Sequence, residues 1–367
     1  MDSDKDLILI TGSSGFLGQA LAKHFVQKGA LVVGFDNKPG EHGTSDSDTL
    51  FCDLGSDESV QKTFELLKTK YGTKIKAVFH LAAYYSFSGE DSPLYEKITV
   101  EGTGRMLREL QNFEVGQFVF SSSMLIHKPN KPGEKITEDS PVEPTWQYPK
   151  SKVETEKLIY EKHGKVPCVI LRIAGVYADD CHSIPIAHQI QRIYEGQLEG
   201  HLYSGSTDVR QSFVHVDDIV TCFQCVIDHA SQLPLISVFE IGEPDAMSYE
   251  EMQKQIGMIL HGTDWKTFSV PKPIAKVGAM VEMEIPFMDK PFVKPWMVDH
   301  ADDNYDLDIT KARRELGWSP AHSLHETIPV MLAKLKADPL EWYQENNLKA
   351  PGWLKDKASK QAAASER

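Results

Sequence analysis

Cysteine is scarce in this 367-residue chain: Cys52, Cys168, Cys181, Cys222 and Cys225 form an odd, scattered set that suits reduced thiols better than a disulfide framework. Cys222 and Cys225 make a CxxC, but no second pair accompanies it to complete the four ligands of a structural zinc. The pair reads as helix core, and the sequence gives no sign of a metal. Positive charge is scarce too. The 39 Lys and Arg against 53 Asp and Glu leave a net charge of −14, the wrong sign for a protein that binds a phosphate backbone, so nucleic acid is excluded as a partner. Long apolar runs are missing: Lys276, Glu282 and Glu284 interrupt the longest candidate well short of the ~20 residues that a membrane span needs. The acidic start, Met1 to Asp6, has neither the basic nor the apolar region of a secretory signal, which predicts a cytoplasmic protein.

What is present is an ordinary globular composition, 41% hydrophobic and 25% charged, in a chain long enough for a large α/β domain with an appended lobe. Short apolar runs alternate with segments of helical period, the pattern of βαβ units and a parallel sheet. Strands are expected at 7–11, 30–35, 76–81, 117–121 and 166–171, with one more, the third in chain order, just before Cys52, and helices at 15–27, 57–70, 93–111 and 149–163. Residues 212–227 and 238–242 read as a return to the sheet. The division that follows is 1–173 plus 212–242 for a nucleotide-binding domain and 174–211 plus 243–354 for a substrate lobe. Residues 355–367, almost without apolar side chains, are expected to be a disordered tail.

The segment Leu-Ile-Leu-Ile-Thr-Gly-Ser-Ser-Gly-Phe-Leu-Gly places Gly12, Gly15 and Gly18 between a strand and a helix. Glycines there let a diphosphate approach the backbone of Ser14, Gly15, Phe16, Leu17 and Gly18 at the positive end of the helix dipole. Asp36 ends the second strand, 18 positions after Gly18, where a carboxylate accepts hydrogen bonds from ribose hydroxyls and repels a 2′-phosphate. NAD is therefore favoured over NADP, although Lys38 close by tempers the preference. Asp53, followed by Leu54, sits where it can reach the adenine amino group, with a turn aspartate as the competing reading. Leu81, Ala82 and Ala83 are small enough to let a cofactor pass over the end of the fourth strand.

Tyr148 and Lys152 have the YxxxK spacing, which brings both side chains to one helix face. Pro149 confines Tyr148 to the first helical turn, where the dipole favours an anion. A tyrosine titrates near 10, so acting as a base near neutrality requires a neighbouring cation, and Lys152 supplies one. Ser121, Ser122 and Ser123 close the fifth strand, and a serine hydroxyl there can hold the oxygen whose proton Tyr148 takes.

With these motifs in this order the chain resembles the extended short-chain dehydrogenase/reductases, the NAD-dependent epimerase/dehydratase family. The resemblance runs from Leu7 to about Pro329. Besides the motifs above it includes Val100-Glu-Gly-Thr, Leu171-Arg172, Phe213-Val-His-Val-Asp-Asp218 and Ala312-Arg-Arg-Glu-Leu-Gly-Trp-Ser-Pro320. It implies a Rossmann-type doubly wound domain with a smaller C-terminal substrate lobe, a homodimer, a small-molecule substrate, and hydride transfer at a carbinol carbon. Ser123, Tyr148 and Lys152 would be catalytic, and Ser121, Tyr148 and Lys152 would also touch the cofactor.

Several positions depart from the family pattern. Gly175 stands where sugar-nucleotide epimerases carry a diphosphate-binding asparagine, and Arg210 lies one residue before the place of their diphosphate-binding arginine, which is Gln211 here. Thr99 replaces a cofactor-binding asparagine. Met124 and Leu125 take the places of the acid and base that sugar dehydratases use, which argues against dehydration. Ser122, Ser123, Gly175 and Arg210 are the candidate substrate residues. Met280, Met283, Phe287, Met288, Phe292, Trp296 and Met297 crowd one stretch that reads either as lobe core or as the wall of an apolar pocket. That stretch is also similar to the 3β-hydroxysteroid dehydrogenase and dihydroflavonol reductase branch. The leading expectation is an NAD-dependent nucleotide-sugar epimerase, with a dehydrogenase or reductase of an apolar alcohol as the alternative. A non-catalytic dinucleotide sensor is disfavoured by the retention of Tyr148.

Overall fold

The computed structural model describes residues 5–38, 47–86, 89–284 and 293–356. Seven strands form its central sheet: β1 (Leu7–Thr11), β2 (Leu31–Asp36), β3 (Ser47–Phe51), β4 (Ala77–His80), β5 (Phe118–Ser123), β6 (Cys168–Ile173) and β7 (Ile236–Ile241). The order across the sheet is β3-β2-β1-β4-β5-β6-β7 and every pairing is parallel. Chain direction through the sheet reverses between β1 and β4, which opens a crevice at their carboxyl ends, the place where doubly wound folds bind ligands. The apolar runs lack alternation because helices cover both faces of the sheet, as parallel sheets require.

Helices α1 (Phe16–Gln27), α2 (Asp57–Tyr71), α3 (Glu101–Leu110), α4 (Gln147–Lys162), α5 (Ile184–Tyr194) and α6 (Val216–His229) follow in chain order. On one face Phe25 of α1 and Phe223 of α6 pack against Ile8, Phe79 and Leu171. On the other, Phe64, Leu107 and Ile159 of α2, α3 and α4 pack against Leu9, Phe120 and Ile170. Beyond α7 (Tyr249–His261), the elements α8 (Lys272–Glu284), α9 (Pro295–Asp299) and α10 (Thr310–Leu316) lead to α11 (Leu324–Ala337) and α12 (Pro339–Glu345). A third core joins α5, α7, α11 and α12 through Ile190, Ile256, Ile328 and Trp342.

Two expectations need correction. Residues 212–227 do not rejoin the sheet: Phe213–His215 pairs with Gly175–Tyr177 in a separate two-stranded ladder, and α6 follows at once. From Val216 the buried positions include 216, 219, 220, 223 and 226, a helical stripe, in keeping with the helical reading around Cys222 and Cys225; the helix packs on the sheet without adding a strand. Cys222 and Cys225 lie in this helix, and burial pushes both thiols up. The expected helix at 93–111 begins as a π-helical turn, Tyr95–Val100, before α3; such turns are frequent at functional sites. No helix of the described residues is long and apolar enough to cross a membrane. The expected tail beyond Asp356, and the side chains of Met283, Phe287, Met288 and Phe292, lie outside the described residues.

Phe223 meets Phe79 edge-on with ring centroids 4.9 Å apart, so Phe223→Ala removes the anchor of α6. It is expected to cost about 3–5 kcal/mol, read as a lower urea midpoint at unchanged slope. Beyond β7, the Glu243 carboxylate accepts the Leu324 N–H at 2.8 Å, and burial raises its pKa from the usual 4.5 to about 7. The protonated form therefore favours the fold: this contribution is present in full below pH 4.5 and is lost as pH rises through about 7. Glu243→Gln is expected to flatten the fall in melting temperature between pH 5 and pH 8, relative to wild type.

Candidate active site

The crevice begins at the end of β1. Gly12 takes φ +70°, and a Cβ there would lie 3.0 Å from the Ala82 nitrogen. A Cβ on Gly18 would lie 2.3 Å from the Gly12 carbonyl oxygen. The turn therefore admits only glycine at both positions. The hydrogen-bond ladder of α1 starts with Gln19 N–H to Gly15 C=O at 2.9 Å, which leaves the amides of Phe16, Leu17 and Gly18 without a carbonyl inside the helix. No side chain caps this terminus and its first turn holds no acidic residue, whereas serines cap α2, α7 and α11. An uncapped helix end facing the switch point fits a diphosphate.

The Asp36 carboxylate accepts the Ser14 N–H at 3.0 Å through one oxygen and the Lys38 N–H at 2.9 Å through the other. These bonds fix it at the rim of the glycine turn, and each oxygen keeps a lone pair for a ribose hydroxyl. On the far side of the crevice, buried His80 bridges Thr11 Oγ1 (2.8 Å) and Thr103 Oγ1 (2.9 Å), and Thr11 Oγ1 accepts the Ala82 N–H at 3.2 Å. Burial pushes His80 down to about 3, so the ring is neutral, and it holds the Leu81–Ala83 ledge as a fixed polar bridge. The crevice thus offers helix-end amides, a carboxylate fixed at the rim of the glycine turn and a ledge ending in two alanines, and a dinucleotide fits it.

Other candidate cofactor residues are less open. Asp53 Oδ1 accepts the Gly55 N–H at 2.8 Å, the turn arrangement that competed with an adenine contact, and Leu54 is core. Thr99 is fully buried in the π-helical turn; its hydroxyl accepts the Tyr84 N–H at 3.0 Å, so it supports the loop after β4.

Tyr148, Lys152 and Ser123 come together at the C-terminal end of β5. Lys152 is 3% exposed and its Nζ donates to the Ser121 carbonyl at 2.7 Å, 4.8 Å from the Phe120 ring centroid and 5.7 Å from that of Tyr148. Burial brings the Lys152 ammonium down to about 7, while the charge of Glu156 one turn along raises it. Burial pushes the Tyr148 phenol up to about 12, and its hydrogen bond with Ser123 draws it back. The Ser123 hydroxyl also accepts the Leu125 N–H at 3.2 Å, and Ser121 donates to the His80 carbonyl at 3.2 Å, tying β5 to β4.

Ser122 faces elsewhere, because neighbouring residues of a strand point to opposite faces. Its hydroxyl donates to Glu156 at 2.5 Å, and Glu156 takes Arg172 through two bonds, at 2.9 and 3.2 Å. Arg172 also donates to the Glu138 carbonyl at 3.0 Å and to Glu240 at 3.4 Å, and Glu240 lies 2.7 Å from His127. Ser122 is therefore part of a buried ion cluster under α4 and not a substrate contact. Gly175 is also structural: a Cβ there would lie 2.7 Å from the Phe213 ring. Arg210 donates to the Ala246 carbonyl and to Glu251 at 3.3 Å, so both partners already hold the guanidinium.

Sequence reasoning offered Trp296 as a candidate pocket wall but missed the ring cluster that it joins around the phenol. Tyr85 meets Tyr148 edge-on at 4.7 Å, Trp146 lies 5.5 Å from Tyr148, and Trp296 lies 5.1 Å from Trp146. Gly89, at φ +73°, gives Trp296 its room, since a Cβ would fall 2.2 Å from the indole nitrogen. The proximity of Trp146 to Tyr148 in sequence was a usable signal, whereas Trp296 arrives from a remote segment. Met280 is 49% exposed, while Trp296 and Met297 are half-buried, so this stretch is split between surface and site.

The profile described as the NAD dependent epimerase/dehydratase family matches residues 8–242. A UDP-glucose 4-epimerase from Vibrio cholerae is 26% identical over 327 residues, covering 87% of this chain and 92% of that protein. A 3-beta-hydroxysteroid dehydrogenase from Mycolicibacterium neoaurum is 22% identical, covering 89% and 90%. The crystal structure of a UDP-glucose 4-epimerase from Thermus thermophilus in complex with NAD superposes with a TM-score of 0.67 at 19% identity, over 90% of this chain and 99% of that one.

The ion cluster beneath the site makes Arg172 the sensitive point. Arg172→Met leaves Glu156 and Glu240 buried without their shared cation, and is expected to cost about 3–5 kcal/mol at pH 8. Burial already holds Glu240 above its usual pKa and Arg172 opposes that rise, so without Arg172 the protonated form of Glu240 favours the fold and the loss shrinks as pH falls. Urea midpoints at pH 5 and pH 8 check this; an equal loss at both would refute the electrostatic account.

Proposed function

The chain belongs to the NAD-dependent epimerase/dehydratase family, and from that premise we propose that it is an NAD-dependent nucleotide-sugar epimerase. The observation that carries the reading is the meeting of Ser123, Tyr148 and Lys152 beside a crevice that fits a dinucleotide. When bound there, NAD supplies a hydride acceptor that can return the hydride. Gly12, Gly15 and Gly18 with the amides of Phe16 and Leu17 would hold its diphosphate. Asp36 would hold the adenosine ribose, and Lys152 with Ser121 the nicotinamide end.

In this reading Ser123 orients the substrate hydroxyl and Tyr148 removes its proton. The phenol cannot do this near neutrality at about 12, so the ionised form depends on the neighbouring cation. Lys152 is that cation, held by the Ser121 carbonyl, and the charge of Glu156 favours its protonated form. The start of α4 adds the favourable end of its dipole. We also take the protein as a cytoplasmic homodimer, with 1–173 plus 212–242 as the cofactor unit and 174–211 plus 243–354 as the substrate lobe.

A second reading, dehydrogenation of an apolar ring alcohol, is favoured by the tethered state of Arg210. The fate of the hydride separates the two. An epimerase converts a UDP-, dTDP- or GDP-sugar to its epimer with no net NADH, whereas a dehydrogenase releases one NADH per turnover of a sterol or aryl carbinol. With whichever substrate turns over, Tyr148→Phe is expected to lower kcat by about 10²–10⁴-fold while NAD binding stays within a few-fold. Unchanged turnover would remove Tyr148 from the chemistry.

A further inference from the structure

We propose that the turn Asp180–His182 forms a second wall of the cofactor's diphosphate berth and that the His182 imidazolium is its cation. The proposal rests on the reading that the crevice holds NAD.

Among the described residues only Cys181 (φ +87°), His182 (φ +50°) and Asn347 (φ +54°) are non-glycine residues in the left-handed region, and the first two are adjacent. Two such residues in succession carry a conformational cost that persists only where the surroundings impose it. Here they do. Ala178 and Cys181 exchange both backbone hydrogen bonds at 2.9 Å, and the Cys181 side chain is fully buried. Asn346, just after α12, clamps the turn from the other side: its Nδ2 donates to the Asp180 carbonyl at 2.9 Å and its Oδ1 accepts the His182 N–H at 2.9 Å.

The strained turn has one visible product. It carries the His182 ring onto Phe16 of the glycine turn, with centroids 4.7 Å apart and planes at 30°. A loop that follows β6 thereby reaches the uncapped start of α1, whose first turn has no charged side chain of its own. The charged groups facing His182 are Asp180 at 3.4 Å on its own turn, Glu345 from α12 and Lys334 from α11. Hydrogen bonding and charge from Asp180 hold the imidazole above its usual pKa, so it is cationic at pH 6. The helix dipole contributes about half a charge toward an anion, and His182, whose ring meets Phe16, adds to it.

His182→Asn tests this, because asparagine tolerates the left-handed conformation and removes the charge. Calorimetric titration of the full-length protein with NAD, ADP and adenosine would be run at pH 6 and pH 9, with unchanged melting temperature as the check on folding. At pH 6 the variant is expected to bind NAD and ADP about tenfold more weakly, a difference of about 1.4 kcal/mol, with adenosine unaffected. At pH 9 wild type and variant converge, while His182→Lys stays tight at both pH values. Equal losses with adenosine, a difference that does not depend on pH, or no difference would overturn the role of His182 and leave the cofactor reading intact. Failure of wild type to bind NAD or ADP at all would overturn both.

Discussion

A lysine ammonium removed from water beside an apolar sheet is costly, and the polar architecture around α4 follows from that cost. Lys152 is nearly inaccessible, and burial, opposed by the charge of Glu156, brings it down to about 7. Its charge is kept by a carbonyl on β5 and by Glu156 one turn along the same helix. Glu156 is buried as well and requires Arg172, and Arg172 in turn faces Glu240. These groups can meet because Ser122, Arg172 and Glu240 occupy one row across β5, β6 and β7 in parallel register. The Tyr148–Lys152 pair thus sits on a chain of compensations two layers deep, in which each charge is tolerated only because the next one is present.

The two halves of the site use different materials. The cofactor side is backbone: glycines that permit close approach, amides left over at a helix end, and a histidine kept neutral so that it bridges two threonines without adding charge. The side facing the phenol is made of rings contributed by the loop after β4, by the start of α4 and by the segment near Trp296. A backbone site is sensitive to any added Cβ and indifferent to most side chains. A ring-built wall is the reverse, and this is where members of one fold diverge in substrate.

That contrast explains what the sequence disclosed. The glycine turn, Asp36 and the Tyr148–Lys152 pair are local motifs whose spacing carries their geometry, and the strands before Arg172 other than β3, whose Ser-Asp-Thr-Leu-Phe is not an apolar run, were bounded by their apolar runs. Ser121, Ser122 and Ser123 are chemically identical, and only strand register decides that Ser122 faces the ion cluster. Gly175 signals a missing contact until Phe213 is seen in the space a side chain would take. Residues 212–227 misled because a helix packed flat on a sheet is as apolar on one face as a strand is. The strain at Cys181 and His182 has no sequence signature, since cysteine does not favour that conformation and a single histidine is a weak signal for it, and the clamp comes from Asn346, remote in the chain.

The ring-built wall also bears on the hydride. To return it to the opposite face of one carbon, the oxidised substrate must turn over inside the site while Ser123 and Tyr148 stay fixed. A wall rich in directional donors would hold one orientation and oppose this, because each buried hydrogen bond broken costs about 1–3 kcal/mol. Flat aromatic faces cost far less to slide across, and the C–H face of a hexose packs on them as an apolar ring does. The aromatic wall therefore does not by itself favour an apolar substrate over a sugar. It favours a substrate held firmly at one oxygen by Ser123 and loosely everywhere else near the phenol, which is the condition that epimerisation imposes and that simple dehydrogenation does not need.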